Sequence, residues 1–555
     1  MSDKKYWPQG LPHVLDIPET SLFDNLEVSA SRYPDKPAVV FYDSVLTYGE
    51  LLQQAEALAG YLQAECKVKP GDRVALYSQN SPQFVVGYYG ILRAQGVVVP
   101  VNPMNLAGEL EYCITDSGAR TLLAAQELHK NAATVLDSGS LDRVIIHTYS
   151  DYLGNLSAEE ATRLPGSLTE PRNIPARENV VGWGDALDSG RQPLPYTGTH
   201  KDVCLIAYTS GTTGNPKGCV HNHHTILAAV AGTSAWRGNS PATTVLAIAP
   251  LFHVLGMQAG MNTPIFCGST VVVMQRWDRQ MALEFIERYR VTSWSGTPAM
   301  FVEFFANPAL ADHDISSLHR LMGGGAAMPE AVSRRLNEEY GLTYNEAFGL
   351  TESAGFVLAN PVERGKRQCL GIATFNVDAR IIDPATFEEL PQGETGEIIL
   401  NGPQVMLEYW QKPAANEGVF IHRDGKRYLR TGDLAYLDEE GYFFMVDRLK
   451  RMINASGYKV WPAEVESIMY GHPDIQEACV ISIPDEKRGE TAKVLIVLKP
   501  EASAAITEES IIDWCKQSMA TYKVPTHVEF LDVLPKSAAG KVLWRKLQDQ
   551  ARAKH

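Results

Sequence analysis

An apolar run, Val203-Cys204-Leu205-Ile206-Ala207, leads directly into Tyr208-Thr-Ser-Gly-Thr-Thr-Gly-Asn-Pro-Lys217-Gly218. The run has the length and β-branched content of a buried strand. Three glycines in the next eleven residues free the backbone to turn and to approach a ligand closely. Thr209, Ser210, Thr212 and Thr213 interleave hydroxyls among Gly211, Gly214 and Gly218, and Lys217 adds a cation. Backbone N–H groups exposed in such a loop solvate phosphate oxygens, so the stretch reads as a polyphosphate cradle following a strand. It is not a Walker A loop, because Gly218 rather than Ser or Thr follows the lysine. The bland alternative is a Gly/Thr-rich surface turn.

Around this loop, strand-like and helix-like segments alternate. Thr47-Tyr-Gly-Glu50 is a capping box for a helix over 51–63. Strands are expected at 73–78 and 97–101, and Ser81-Pro82 supplies an N-cap with proline in the first turn of the helix between them. Residues 149–200 are rich in Ser, Gly, Pro, Asp and Glu and read as a long surface excursion. Alternation resumes with strands near 245–249, 270–274 and 321–322 and a helix near 281–289. Such alternation predicts an α/β fold with two doubly wound halves. From about 377 to 447 short strands and turns take over, which suggests a small β-rich subdomain, and a mixed α+β segment follows. The basic run Arg448-Leu449-Lys450-Arg451 makes a boundary, giving a large N-terminal domain over 1–449 and a small α+β C-terminal domain over 450–555.

At 555 residues the chain exceeds one ordinary core. Its net charge of −15 argues against a nucleic-acid partner. Eight cysteines are scattered without a C-x-x-C pair, as in a reduced, cytoplasmic protein. No apolar run reaches the roughly 18–20 residues of a membrane span. Peripheral membrane association and a homodimer both stay open.

Further stretches carry chemistry. Gly323-Gly324-Gly325 offers bare backbone against which something flat can pack. Asn345-Glu346-Ala347-Phe348-Gly349-Leu350-Thr351-Glu352 joins an aromatic ring, a hydroxyl and a carboxylate. Arg430-Thr431-Gly432-Asp433 presents a carboxylate able to accept from two hydroxyls, and Asp447-Arg448 follows it. Pro535-Lys536-Ser-Ala-Ala-Gly540-Lys541 places a lysine in a glycine-containing loop. His253 stands in Pro250-Leu-Phe-His253-Val-Leu-Gly256-Met257. His221, His223 and His224 form a cluster without an acidic partner, expected to serve as helix capping and surface rather than as metal ligands. Each stretch alone also reads as a turn, a cap or a solvated side chain.

Taken in order, these motifs resemble those of the adenylate-forming superfamily, which includes acyl-CoA and aryl-CoA ligases, peptide-synthetase adenylation domains and beetle luciferases. The resemblance covers roughly residues 25–548 and implies ATP, Mg2+ and coenzyme A as partners. It implies that Thr209–Gly214 and Lys217 hold phosphates, and that Gly323, Gly324, Gly325 and Glu346–Leu350 surround the adenine. Phe348 would stack on the base where the family often has Tyr. Thr351 would meet the α-phosphate, and Thr209 and Glu352 the magnesium. Asp433 and Arg448 would hold the ribose, and Lys541 would bridge the substrate carboxylate and the α-phosphate. His253 would stand between nucleotide and acyl pocket. Lys450 would be the hinge of a mobile C-terminal domain, with Ser456, Gly457 and Tyr458 lining the coenzyme A tunnel. Asn454 and Lys459 depart from the luciferase-like and plant aryl ligases.

The same resemblance lines the acyl pocket with Phe252, His253, Val254, Met257, Trp294, Gly325 and Ala354, and with no obvious cation for a second carboxylate. An apolar lining suits a monocarboxylic acid with an aliphatic tail. The expected activity is therefore an AMP-forming acyl-CoA ligase acting on a medium- to long-chain fatty acid. An aryl or arylpropenoic acid is the alternative, and an adenylation enzyme loading a carrier protein a more distant one.

Overall fold

In the computed structural model, residues 6–154, 162–209, 215–324, 328, 330–455, 458–485, 489–503, 506–537 and 541–554 are described. The side chains of Ala331, Tyr458, Lys459 and Lys554 are not among the groups described.

The strand Val203–Tyr208 lies inside one of two large sheets. On one side it runs parallel to Val97–Val101, which continues through Arg73–Tyr77, Thr121–Ala125, Arg143–His147 and Val180–Gly182, all parallel. Every residue of Val97–Val101 is buried, as expected for a parallel strand covered by helices on both faces. On its other side it turns back antiparallel onto Gly218–Asn222, so the glycine-rich segment joins two paired strands. The 149–200 region is more than an excursion. It supplies the edge strand Val180–Gly182, and Trp183 is 2% exposed beneath it.

The second sheet holds Tyr344–Leu350, Arg320–Gly323, Ser293–Ser295, Thr244–Ala247 and Thr270–Val273 as parallel neighbours. Pro37–Phe41 also belongs here, parallel to Thr270–Val273. The first strand of the chain thus crosses to the other half before the alternation from residue 73 builds the first sheet. Helix Tyr48–Ala64 begins at the expected Thr47–Glu50 capping box: the Glu50 N–H donates to Thr47 Oγ1, and the Thr47 N–H donates to Glu50 Oε2.

An antiparallel sheet of Asp378–Ile382, Gly396–Asn401, Lys426–Leu437, Phe420–Arg423 and Phe443–Arg448 forms the β-rich region. After the turn Leu449–Arg451, a last sheet packs with helices Pro462–Met469, Glu508–Ser518 and Trp544–Lys554. Among the described residues, no helix is long and apolar enough to cross a membrane.

Candidate active site

The expected phosphate loop is closed at its base and braced from outside. The Thr209 N–H donates to the Lys217 carbonyl at 2.9 Å, and the Lys217 N–H returns to Thr209 Oγ1 at 3.2 Å. Helix Ala107–Ser117 holds both arms: the Tyr208 hydroxyl donates to Asp116 Oδ2, and the Tyr112 hydroxyl donates to the Pro216 carbonyl, each at 2.8 Å. Lys412 pairs with Asp116 as well. Ser210, Gly211, Thr212, Thr213 and Gly214 lie outside the described residues. The Lys217 ammonium sits 4.1 Å from the ring centre of Tyr409, a cation–π contact that orients it.

Tyr409 also donates its hydroxyl to Glu352 Oε1 at 2.6 Å. One tyrosine therefore positions both the expected phosphate lysine and the expected metal carboxylate. Nothing in the local sequence marks it; its role depends on the short strand Glu408–Tyr409 pairing with Gly218–Asn222. Thr351 and Glu352 occupy a turn after the strand Tyr344–Leu350. His221 holds that turn, donating from Nε2 to the Thr351 carbonyl at 2.9 Å. His221 is fully buried and its pKa is pushed down to about 4 by loss of water, so it is neutral. The expected surface role of the histidine cluster is corrected here. His221 and His223 are buried, His223 Nδ1 accepts from the Leu22 N–H, and Asn222 caps the following helix.

Gly323 and Gly324 are required by the protein itself. A Cβ on Gly323 would fall 1.9 Å from the Gly296 carbonyl oxygen, and one on Gly324 would fall 2.2 Å from that of Ala347. Strand backbones fill the space that a side chain would need. Gly325 lies outside the described residues. Of the expected adenine-binding segment, Ala347, Phe348 and Leu350 are half-buried and Gly349 is exposed. The Glu346 carboxylate is engaged elsewhere, accepting from the Met328 and Gln368 N–H groups, and burial raises its pKa to about 7.

Asp433 is 1% exposed. Arg448 Nε lies 3.0 Å from Asp433 Oδ1 as an ion pair, yet neither carboxylate oxygen accepts a hydrogen bond among the described residues. Burial raises the pKa of the carboxyl, and the charges of Arg448 and then Lys541 pull it back. A buried acceptor pair without donors is unfavourable unless something else supplies them. Two vicinal hydroxyls would.

Lys541 lies in a loop closed by two contacts with Ser537, whose N–H donates to the Lys541 carbonyl and whose Oγ accepts the Lys541 N–H. Its side chain stays open to solvent while its ammonium is crowded. The pKa is lowered by removal from water and by Arg448, with Asp433 and Glu352 pulling it upward. His253 faces the same charge: burial and then Lys541 lower its pKa to about 4, and its Nδ1 accepts from the Leu255 N–H. Lys217, Glu352, Asp433, Arg448, His253 and Lys541 thus converge from five separate segments.

Lys450 is solvent-exposed, and partial loss of water, then the charges of Lys217 and Arg545, lower its pKa. Contacts flank it on both sides, with Asp447 Oδ2 accepting from the Ala463 N–H and Arg451 paired with Glu466. Ser456 and Gly457 lie outside the described residues, and the backbone of Tyr458 pairs with Ala455. Val254, Met257 and Ala354 are buried and Phe252 is half-buried. Trp294 is completely buried, stacked on Trp277 and packed against Phe301 and Phe304. Among the described residues, no group of three or more His, Cys, Asp or Glu could hold a metal ion by itself.

Comparison with known families places this geometry. The profile of the AMP-binding enzymes matches residues 26–410, and that of the AMP-binding enzyme C-terminal domain matches residues 464–541. The chain belongs to the AMP-binding enzymes. Within the family it is 35% identical to a long-chain-fatty-acid–CoA ligase of Bacillus subtilis, over the full length of both chains. It is 34% identical to a feruloyl-CoA synthase of Amycolatopsis, covering 93% of this chain and 96% of the other. Its fold is similar to that of the anthranilate CoA ligase AuaEII in complex with anthranoyl-AMP, with TM-score 0.83, 25% identity and 98% of each chain covered.

Proposed function

We propose that this AMP-binding enzyme joins a medium- to long-chain fatty acid to coenzyme A, consuming ATP and releasing AMP and pyrophosphate. It is an acid–thiol ligase. The observation that carries the reading is the convergence of Lys541 with Asp433, Arg448 and Glu352 around a carboxylate that lacks hydrogen-bond donors. The Bacillus subtilis relative supports the choice of a fatty acid. The feruloyl-CoA synthase relative favours an arylpropenoic acid as the second reading.

In the first step, the substrate carboxylate attacks the α-phosphorus of ATP and pyrophosphate leaves. Lys541 offsets the repulsion between the two anions and the charge developing at phosphorus. Lys217, held over Tyr409, takes charge from the leaving phosphates. Asp433 accepts from the ribose hydroxyls. The hydroxyl of Thr209 and the carboxylate of Glu352 suit a magnesium ion, a hard cation with oxygen ligands, whose remaining ligands would come from the nucleotide and water. Such an ion would neutralise phosphate charge. In the second step the thiol of coenzyme A attacks the acyl carbonyl carbon, and AMP departs with the C–O electron pair.

A lysine lodged beside the α-phosphate obstructs the approach of a thiol from that side, so the two steps call for two poses of residues 450–555, turning about Lys450. The test is a panel of carboxylic acids assayed for AMP release with and without coenzyme A. Thiol-dependent turnover of fatty acids supports the reading, aryl acids as sole substrates select the second, and no pyrophosphate with any acid rejects both.

A further inference from the structure

Between the strands Gly396–Asn401 and Lys426–Leu437 the pairing slips. Glu397 stands opposite Leu434 and Ile399 opposite Arg430, so the single residue Ile398 faces Thr431, Gly432 and Asp433. Those three bulge from the ladder, and a bulge re-aims the side chains it carries. Gly432 makes the bend with φ at +70°, in the left-handed region that glycine enters without strain. At its end the bulge delivers Asp433, whose buried carboxylate accepts no hydrogen bond among the described residues, opposite Arg448 on the next strand.

Hydrogen bonds hold the bulge. Glu397 is 1% exposed, and because Ile399 pairs with Arg430, the alternation of a strand puts Glu397 and Arg430 on one face. Glu397 Oε2 accepts from Arg430 Nε at 3.0 Å and from Nη2 at 2.7 Å. Its other oxygen, Oε1, accepts from the Gly432 N–H at 3.0 Å. The Arg430 guanidinium lies 4.8 Å from the ring centre of Phe387, which fixes it from the other side. Within the bulge the Thr431 hydroxyl donates to the Ile398 carbonyl at 2.8 Å and accepts the Asp433 N–H at 3.1 Å. Packing does not hold the turn: a Cβ built on Gly432 would meet nothing within 4 Å.

A strand carboxylate paired with an arginine is also an ordinary way to bury two charges. Taking both from water offsets most of what the pair gains, so such a pair contributes little to stability by itself. An apolar pair of the same volume would fill the space and could not accept the Gly432 N–H. That donor belongs to the residue joined directly to Asp433, so the peptide that Glu397 fixes is the one that sets the direction of the Asp433 side chain. A group that meets a ligand through hydrogen bonds must be held to within about 0.5 Å by its neighbours.

We propose that Glu397 is a positioning residue for nucleotide binding: Oε2 is locked by Arg430, Oε1 fixes the Gly432 peptide, and the Asp433 carboxylate is thereby aimed at the vicinal hydroxyls of the ribose. This rests on the ligase reading above, in which Asp433 accepts from those hydroxyls. Glu397 acts through Asp433 alone.

The test measures the affinity of the full-length protein for ATP, 2′-deoxy-ATP and 3′-deoxy-ATP by calorimetry, without acid or coenzyme A, in the wild type, Glu397→Ala and Glu397→Gln. In the wild type a missing hydroxyl weakens binding about ten- to hundredfold, the loss of a hydrogen bond to a charged group. In Glu397→Ala that penalty shrinks by about three- to tenfold, because ATP itself binds more weakly. Glu397→Gln, whose amide oxygen can still accept from Gly432, lies between the two. In turnover the loss falls on the KM for ATP and not on the KM for the acid. Added to Asp433→Ala, Glu397→Ala weakens ATP binding no further. If Glu397→Ala does not fold, Glu397→Gln reads the same penalty with a smaller change. A penalty unmoved in the folded variants, even with a lowered Tm, overturns the proposal and leaves Glu397 and Arg430 as a brace of the sheet. Equal binding of all three nucleotides by the wild type overturns it as well, since Asp433 then meets no hydroxyl. Absence of AMP release with every acid defeats the ligase reading instead, and the binding penalty still decides the role of Glu397.

Discussion

Asp433 and Arg448 face one another across adjacent antiparallel strands, with Arg448 Nε 3.0 Å from Asp433 Oδ1, yet neither oxygen of that buried carboxylate accepts a hydrogen bond among the described residues. The pair is poised for a third participant. A carboxylate kept in this condition destabilises the ligand-free protein and gains its donors when a dihydroxyl ligand arrives.

Asp433→Ala removes both acceptors and the buried charge together. The KM for ATP should rise about ten- to hundredfold, since hydrogen bonds to a charged group carry most of that binding. The melting temperature of the ligand-free enzyme should hold or rise. A lower Tm with an unchanged KM for ATP would assign Asp433 to the scaffold.

Lys541→Ala should separate the two half-reactions. Pyrophosphate release from ATP and acid should fall by about a thousandfold or more, as for loss of a group acting on developing charge. Thioester formation from supplied acyl-AMP should be affected far less. Single-turnover measurements of each half-reaction decide it, and equal losses in both would reject the two-pose scheme.

Tyr409 touches Glu352 by a hydrogen bond and Lys217 by its ring face. Tyr409→Phe keeps the ring and removes the hydroxyl, so it should raise the Mg2+ concentration needed for half-maximal rate while changing the KM for ATP little. Glu352→Gln should do the same more strongly. Because the two act through one contact, the double variant should resemble Glu352→Gln alone. Additive effects would place them in separate roles.

Much of the architecture was legible because local signals agreed with the final packing. The Thr47–Glu50 capping box and the fully buried Val97–Val101 needed no distant partner to be recognised. Segment order could not reveal that Pro37–Phe41 crosses to the other sheet, because strand pairing is decided by long-range burial. The site shows the same division. Thr351, Glu352, Asp433 and Lys541 stand in recognisable motifs, whereas Tyr409, His221 and Asp116 act through contacts with residues far away in the chain.

Glu346 offers a test of the interior that does not depend on catalysis. The residue is 7% exposed, and burial raises its pKa from the ordinary value near 4.5 to about 7, against the pull of the Met328, Gln368 and Cys369 amides. Between those values the folded protein holds a proton that the unfolded chain has released. Its contribution to stability is therefore fully present below about pH 4.5 and is lost as pH rises through about 7. The full difference is roughly 3 kcal/mol. Glu346→Gln places a neutral group there at every pH, so the gap in Tm between variant and wild type should widen in the variant's favour from about pH 5 to about pH 8 and level off above that. A gap that stays constant with pH would mean that the carboxyl titrates normally and that its surroundings are wetter than the packing shows.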